Sequence, residues 1–466
     1  MHTRLRSLAA LLLLFLVVGL FASAQPASKR FFVNDFGAKG DGMALETLAI
    51  QKAIDAAAIV GGTVSFKPGL YRSGSIFLNS GVTLDLPESA TIIGSQSLAD
   101  YPVLPTRIAG IEMSWPAALV NIRDQRNVAI VGKGTIDGDG PIWWKSYWDL
   151  RMIYEPKGLR WASDYDCRRP RLLLIQNSSN VRLGGGLRLT RAGFWTVQIL
   201  YSHDVHVDGV TIRNNEGGRG PSTDGIDIDS SRNILVEHAD IDVNDDALCL
   251  KSGRDSDGLR VNRPTEHVVL RDSIIRSGAA AVTIGSETSG GFRDIEAYRL
   301  TALADVPSGV LFKSAHTRGG FADDVRIHDL TLIGVAVPIR IDMNWNPSYS
   351  YAAIPLELAK VPSYYKVLAT PVAAAQGLPH FRNVHIWNVK ATDAKQAFNV
   401  SAYPDAPLEN FCLDHLEIEA TTAGTIANAK NWSFENNQIR TDDGSKLVFT
   451  DAAKHNSKDI PYGEPK

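Results

Sequence analysis

Two segments of this chain coincide when one is slid by 22 residues along the other. Ser222-Thr-Asp-Gly-Ile-Asp-Ile-Asp229 and Asn244-Asp-Asp-Ala-Leu-Cys-Leu-Lys251 then align Ile226 with Leu248, Ile228 with Leu250 and Asp224 with Asp246. Both read as short strands with an apolar residue at every second position. A related pattern, a polar residue followed by alternating apolar ones, returns at Asn180, Asp204, Asn233, His267, Asp294, Asp324 and Asn383. The intervals run from 24 to 34 residues until a last gap of 59. A constant core pattern at variable spacing describes coils of fixed cross-section carrying loops of differing length. Recurrent helical patterns between the strands, which βα units would need, are missing. The expectation is all-β: a single-stranded right-handed parallel β-helix without an internal domain boundary.

Stacking has a chemical consequence. Residues one coil apart lie about 4.8 Å from each other, so Asp224 and Asp246 meet, with Asp245 beside them. Like charges at that range repel and raise one another's pKa. Hydrolysis of a sugar bond uses such a group, with one carboxyl protonated for the leaving oxygen and others ionised to activate water. Spacing leaves the roles open, and a turn cluster or a calcium site fits it as well.

The rest of the chain frames this region. Residues 1–24 read as a signal peptide, with Arg4 and Arg6, an apolar run from Leu8 to Phe21, and Ala22-Ser23-Ala24 as the cleavage pattern. Its removal leaves 46 basic against 51 acidic residues, a net charge near −5. That balance speaks against a nucleic-acid partner, and no later segment is apolar enough to span a bilayer. A secreted or periplasmic monomer is expected. Residues 25–104 form an N-terminal cap and first coils, with Leu48, Ile50, Ala53, Ile54 and Ala57 at helical spacing. Residues 105–450 form the main solenoid and 451–466 a polar tail. Cys167, Cys249 and Cys412 give neither a zinc spacing nor a disulfide framework.

Further motifs stand in order along the chain: Phe36-Gly-Ala-Lys-Gly-Asp-Gly, Gly134-Thr-Ile-Asp-Gly-Asp-Gly ahead of Trp143-Trp144, Arg169-Pro-Arg-Leu, Phe194-Trp-Thr-Val, then the two Asp signatures. Together they resemble glycoside hydrolase family 28, the polygalacturonases and their pectin-degrading relatives. The resemblance implies inverting hydrolysis, with Asp245 as general acid and Asp224 and Asp246 activating water. It also implies substrate binding by Lys313 and Ser222, a pectic polysaccharide or oligosaccharide as substrate, and neither a metal nor another cofactor.

Three departures bear on specificity. Ser222 stands where the family has Asn, Ala279-Ala280-Ala281 where it has Gly-His-Gly, and Leu311-Phe312-Lys313 where it has Arg-Ile-Lys. Losing a carboxylate-binding Arg suggests altered specificity, with Ala280 and Leu311 making room for a methyl-bearing sugar such as the rhamnose of rhamnogalacturonan. The aromatic loops ahead of the core resemble those of exo-acting members. The alternatives are a sugar-binding solenoid without activity, and a calcium-dependent lyase using Arg219, Arg254 or Lys251. His316 and Arg318 could replace the missing cation, Trp195 could pack inward or carry a sugar, and the stretch from Met343 to Ala352 resembles a substrate-side loop. Pro347 to Leu378 holds an extra coil or a long excursion.

Overall fold

The structure, a computed structural model, describes residues 29–450 apart from 357 and 359, together with the backbone of 454–457 and 462–463. The signal-peptide reading and most of the polar tail lie outside the described residues. Short strands stack in parallel from Arg30 onward, each pairing with the strand one coil earlier and one coil later. The product is the expected right-handed β-helix.

The recurrent polar residue of the sequence has a backbone cause. Asn127, Asn180, Asp204, Asn233, His267, Asp294, Asp324 and Asn383 all adopt left-handed φ values between 50° and 56°. Such a residue turns the chain from one sheet into the next, and Asn, Asp and His tolerate that conformation best. Their side chains also stack: Asn180 donates to Asn127 at 2.7 Å and Asn233 to Asp204 at 3.0 Å. The alternating apolar residues after each turn fill one continuous core.

The N-terminal end is covered by the helix Thr47–Ala58, which buries Ile50, Ala53, Ile54 and Ala57. Leu48, expected on that face, points to solvent at 78% exposure. The sheet continues past residue 104, because Ile76–Leu78 pairs directly with Val120–Arg123 across an inserted antiparallel hairpin, Val103–Ile108 and Ile111–Pro116. The long gap is an excursion and not a coil. Phe321–Ile333 pairs directly with His380–Ser401, and three short helices lie between Pro347 and Gly377.

Hairpin and excursion cross the outside of the solenoid. There Ile108, Trp115, Trp161, Tyr165, Phe194 and Tyr365 belong to a second, smaller apolar cluster. That cluster fixes loops from three distant parts of the chain over a single stretch of sheet. No helix among the described residues is long and apolar enough to cross a membrane.

Candidate active site

The stretch of sheet beneath those loops is made of Val197–Leu200, Ile226–Asp229, Leu248–Lys251, Ala280–Ile284 and Ser308–Lys313. Their register aligns Ile226 with Leu248 and Ile228 with Leu250, as the 22-residue offset requires. Asp224 and Asp246 sit two residues ahead of the aligned pair. The link is direct: Gly225 N–H donates to the Asp246 carbonyl at 2.8 Å. Asp224, Asp245 and Asp246 each present a carboxylate oxygen within 4.8 Å of the others.

Asp224 and Asp246 are buried and Asp245 half-buried, at one side of a pocket of about 150 Å³. Lys313 donates to both oxygens of Asp246 at 2.8 and 3.0 Å. Thr283 Oγ1 donates to the same carboxylate at 3.1 Å, and Cys249 Sγ lies 3.3 Å from it. Burial works against the Asp246 charge, but Lys313 and Lys251 overcome it and hold the carboxyl below its usual range. The other two go the opposite way. Burial, then the neighbouring charges of Asp227 and Asp245, push Asp224 well up. Burial and the Asp246 charge push Asp245 up. A low carboxyl beside raised ones is the division of labour that acid/base hydrolysis requires.

Sequence reasoning gave Lys251 only a minor place as a lyase base, yet its ammonium lies at the centre. Nζ is 3.3 Å from Asp224, 3.4 Å from Asp227, 3.7 Å from Asp246 and 3.5 Å from Glu287. It also lies 5.4 Å from the centroid of the Trp195 ring. Burial resists the charge of Glu287, but Lys251, Arg318 and Arg254 pull its pKa down to about 2. Asp227, fully buried beneath the pocket, is driven by its burial up to about 7, with Lys251 opposing. The available signal was Lys251 itself, which closes the same strand that Asp246 precedes.

Ser222 lines the pocket, but its hydroxyl donates to Asp164 Oδ1 at 2.8 Å. Its φ of 51° is one that Asn tolerates better than Ser. Asp164 and its partner Arg160 belong to the loop after Trp148, and nothing periodic in the sequence marks them. Trp195 faces outward against Phe194, with ring centroids 4.8 Å apart, and lines the pocket. Trp345, Asn346 and Tyr349 from the excursion form another wall, as the likeness of that stretch to a substrate-side loop implied.

Other expectations fail on geometry. Ala280 and Leu311 are buried and are not among the pocket-lining residues, so they do not widen it. Arg318 is fully buried and bonded to Asp255 and the Ser286 carbonyl. His316 stacks on Tyr351 at 4.3 Å, outside the pocket lining. Arg254 is bonded to the Tyr165 hydroxyl and to the Tyr349 and Ser350 carbonyls. The three aspartates have the donor types for a hard cation, but the Lys313 ammonium already spans both Asp246 oxygens.

The hairpin reaches the pocket. Its tip residue Ala109 lines the pocket, and Tyr165 donates to the Ala109 carbonyl at 2.8 Å. Next to it Gly110 has φ +88°, and a Cβ there would lie 2.4 Å from Arg254 Cβ and 2.7 Å from Glu287 Cγ. Glycine is what lets the tip sit this close.

The chain is similar to known proteins. Residues 105–354 match the family described as glycosyl hydrolases family 28, and residues 31–97 match a rhamnogalacturonase A/epimerase, pectate lyase-like family. A probable polygalacturonase of Vitis vinifera is 27% identical over 82% of this chain and 73% of its own length. An exo-poly-alpha-D-galacturonosidase of Dickeya chrysanthemi is 27% identical over 69% of this chain and 59% of its own. Among solved structures, an exopolygalacturonase of Thermotoga maritima superimposes with a TM-score of 0.71 at 24% identity, covering 93% of each chain. The family 28 exopolygalacturonase of Yersinia enterocolitica gives 0.75 at 22% identity, over 94% of this chain and 79% of that one. On the matched family, which takes in the whole aspartate cluster, the chain belongs to glycosyl hydrolase family 28.

Proposed function

We propose that this glycosidase removes galacturonate from the end of pectic chains by acid/base hydrolysis. Asp245 is the general acid and Asp246 the ionised base, with Asp224 orienting the attacking water between them. The observation that carries the reading is the cluster of three carboxylates in one pocket, where Lys313 helps hold Asp246 below its usual range while burial raises its neighbours.

End-on attack is supported by the hairpin tip at Ala109, which lines the pocket and on this reading walls it off. It is supported too by the exo-acting enzymes among the relatives. An extended polymer cannot pass through a walled groove, so only its terminal residue reaches the acids. Family membership supports an inverting course as part of this reading. The cluster is tighter than the roughly 6.5–9.5 Å usual between inverting carboxyls, so the anomer first released, read by proton NMR, tests that step separately. Rhamnogalacturonan is the competing substrate, and the positions of Ala280 and Leu311 away from the pocket lend it no weight. Export is the reading of residues 1–24.

Product analysis on homogalacturonan and rhamnogalacturonan oligosaccharides, with Asp245→Asn as control, tests the function. The wild type should release monomeric galacturonate, and the variant should lose about a thousandfold in kcat, the order of a positioned general acid. Wild-type turnover in Asp245→Asn would remove the assignment. Binding of either polymer without cleavage by the wild type would leave a sugar-binding solenoid.

A further inference from the structure

A uronate entering this pocket meets an electrostatic difficulty. Five carboxyl groups line it beside three cations, Arg160, Lys251 and Lys313, and burial raises two of the five, Asp224 and Asp245. An anionic sugar is held there only by a cation that has donors left for it. Lys313 is engaged by both oxygens of Asp246. Lys251 has four carboxylates within 3.7 Å. Arg160 is differently placed. Its one hydrogen bond among the described residues runs from Nη1 to Asp164 Oδ2 at 3.1 Å, which leaves Nη2 without a partner there. Its guanidinium lies over the Tyr349 ring, 5.2 Å from the centroid.

Asp164 has partners besides Arg160. Its other oxygen accepts from Arg169 Nη2 at 3.1 Å and from Ser222 at 2.8 Å. Leu311, where the resemblance implies a carboxylate-binding Arg, is buried and does not line the pocket.

We infer that Arg160 is the specificity-determining cation that reads the C6 carboxylate of the terminal uronate. The inference rests on the proposed galacturonate specificity and adds a residue from the loop before the solenoid's central coils. A planar fork over an aromatic ring can engage a carboxylate bidentately, which neither lysine can do.

Calorimetric titration of the full chain with D-galacturonate and with D-galactose, its neutral counterpart, tests this without requiring turnover. The wild type should prefer galacturonate. Arg160→Gln should weaken galacturonate by about 30-fold or more, the order for removing one partner of a buried charged pair, and leave galactose within about threefold. Arg160→Lys, which keeps the charge and loses the fork, should fall between, and it carries the test if Arg160→Gln fails to fold. Equal affinity of the wild type for both sugars overturns the inference, as does a variant that weakens both alike or neither. Failure of the hydrolase reading looks different: galacturonate bound through Arg160 with no product released from any pectic chain.

Discussion

Removing the Lys251 ammonium while keeping its length, as in Lys251→Met, isolates the charge at the centre of the pocket. Four carboxylate oxygens lie 3.3 to 3.7 Å from Nζ. At an effective dielectric of about 20, each such pair is worth about 5 kcal/mol. The sum is never realised, because carboxylates deprived of their partner take up protons. Breaking one buried pair typically loses about 3–5 kcal/mol, and about 4 kcal/mol is the expectation at pH 7. With an unfolding entropy of about 2.1 cal/mol/K per residue over about 420 ordered residues, the Tm should drop by about 4–5 °C.

The sign of the pH dependence is fixed by Glu287 and Asp246, both held below their ordinary values. Their contribution is present above the unfolded carboxylate range and is lost as pH falls through the folded value, about 2 for Glu287. In the variant those folded values rise. The Tm deficit should therefore be full at pH 7 and shrink on acidification to pH 4. Thermal unfolding followed by circular dichroism at both pH values measures it. A deficit equal at the two, or one below about 1 °C at pH 7, would refute the placement of Lys251 as the shared counter-ion.

Cutting back the hairpin should, on the end-on reading, open the pocket. Arg107 and Glu112 are cross-strand partners, so joining them through an Asn-Gly turn in place of Ile108–Ile111 keeps the register. Early products should then include oligomers longer than the monomer, and a monomer-only pattern on chromatography would count against the wall. Chelator treatment should leave turnover unchanged, and no ultraviolet absorbance from unsaturated uronates should develop. Loss of activity with chelator would favour the lyase chemistry instead.

How much of this could be read beforehand depended on periodicity. The solenoid was legible because a left-handed Asn, Asp or His heads most coils and the residues after it alternate, so backbone strain and core packing left the same repeating mark. Asp224, Asp245 and Asp246 were legible because a register offset converts directly into proximity. Arg160, Asp164 and Tyr349 were not. They sit on insertions whose placement depends on the outer cluster around Trp161, Tyr165 and Tyr365, and no repeat encodes that contact. Trp195 was ambiguous for a related reason. Strand parity predicts its side only inside the strand, and it lies two residues ahead of Val197, where Val197–Leu200 begins.

Lys313 separates two roles that sequence alone runs together. If it only binds substrate, Lys313→Met should raise KM and leave the pH profile of kcat in place. Its ammonium, however, lies 2.8 and 3.0 Å from the two oxygens of Asp246. Burial alone would raise Asp246, and after burial Lys313 is the strongest influence acting on it, keeping it ionised. A base must be deprotonated to act, so the acid limb of kcat follows the folded pKa of Asp246. Taking the cation away lets that pKa rise, and the limb moves to higher pH. The variant should accordingly lose far more activity at pH 4 than at pH 6, while Asp245, whose carboxyl must stay protonated, loses the cation that favours its ionised form and so keeps its proton to higher pH. The two limbs thus move in the same direction and the optimum shifts alkaline. An unmoved optimum with a raised KM would assign Lys313 to the substrate alone and leave the ionisation of Asp246 to Lys251.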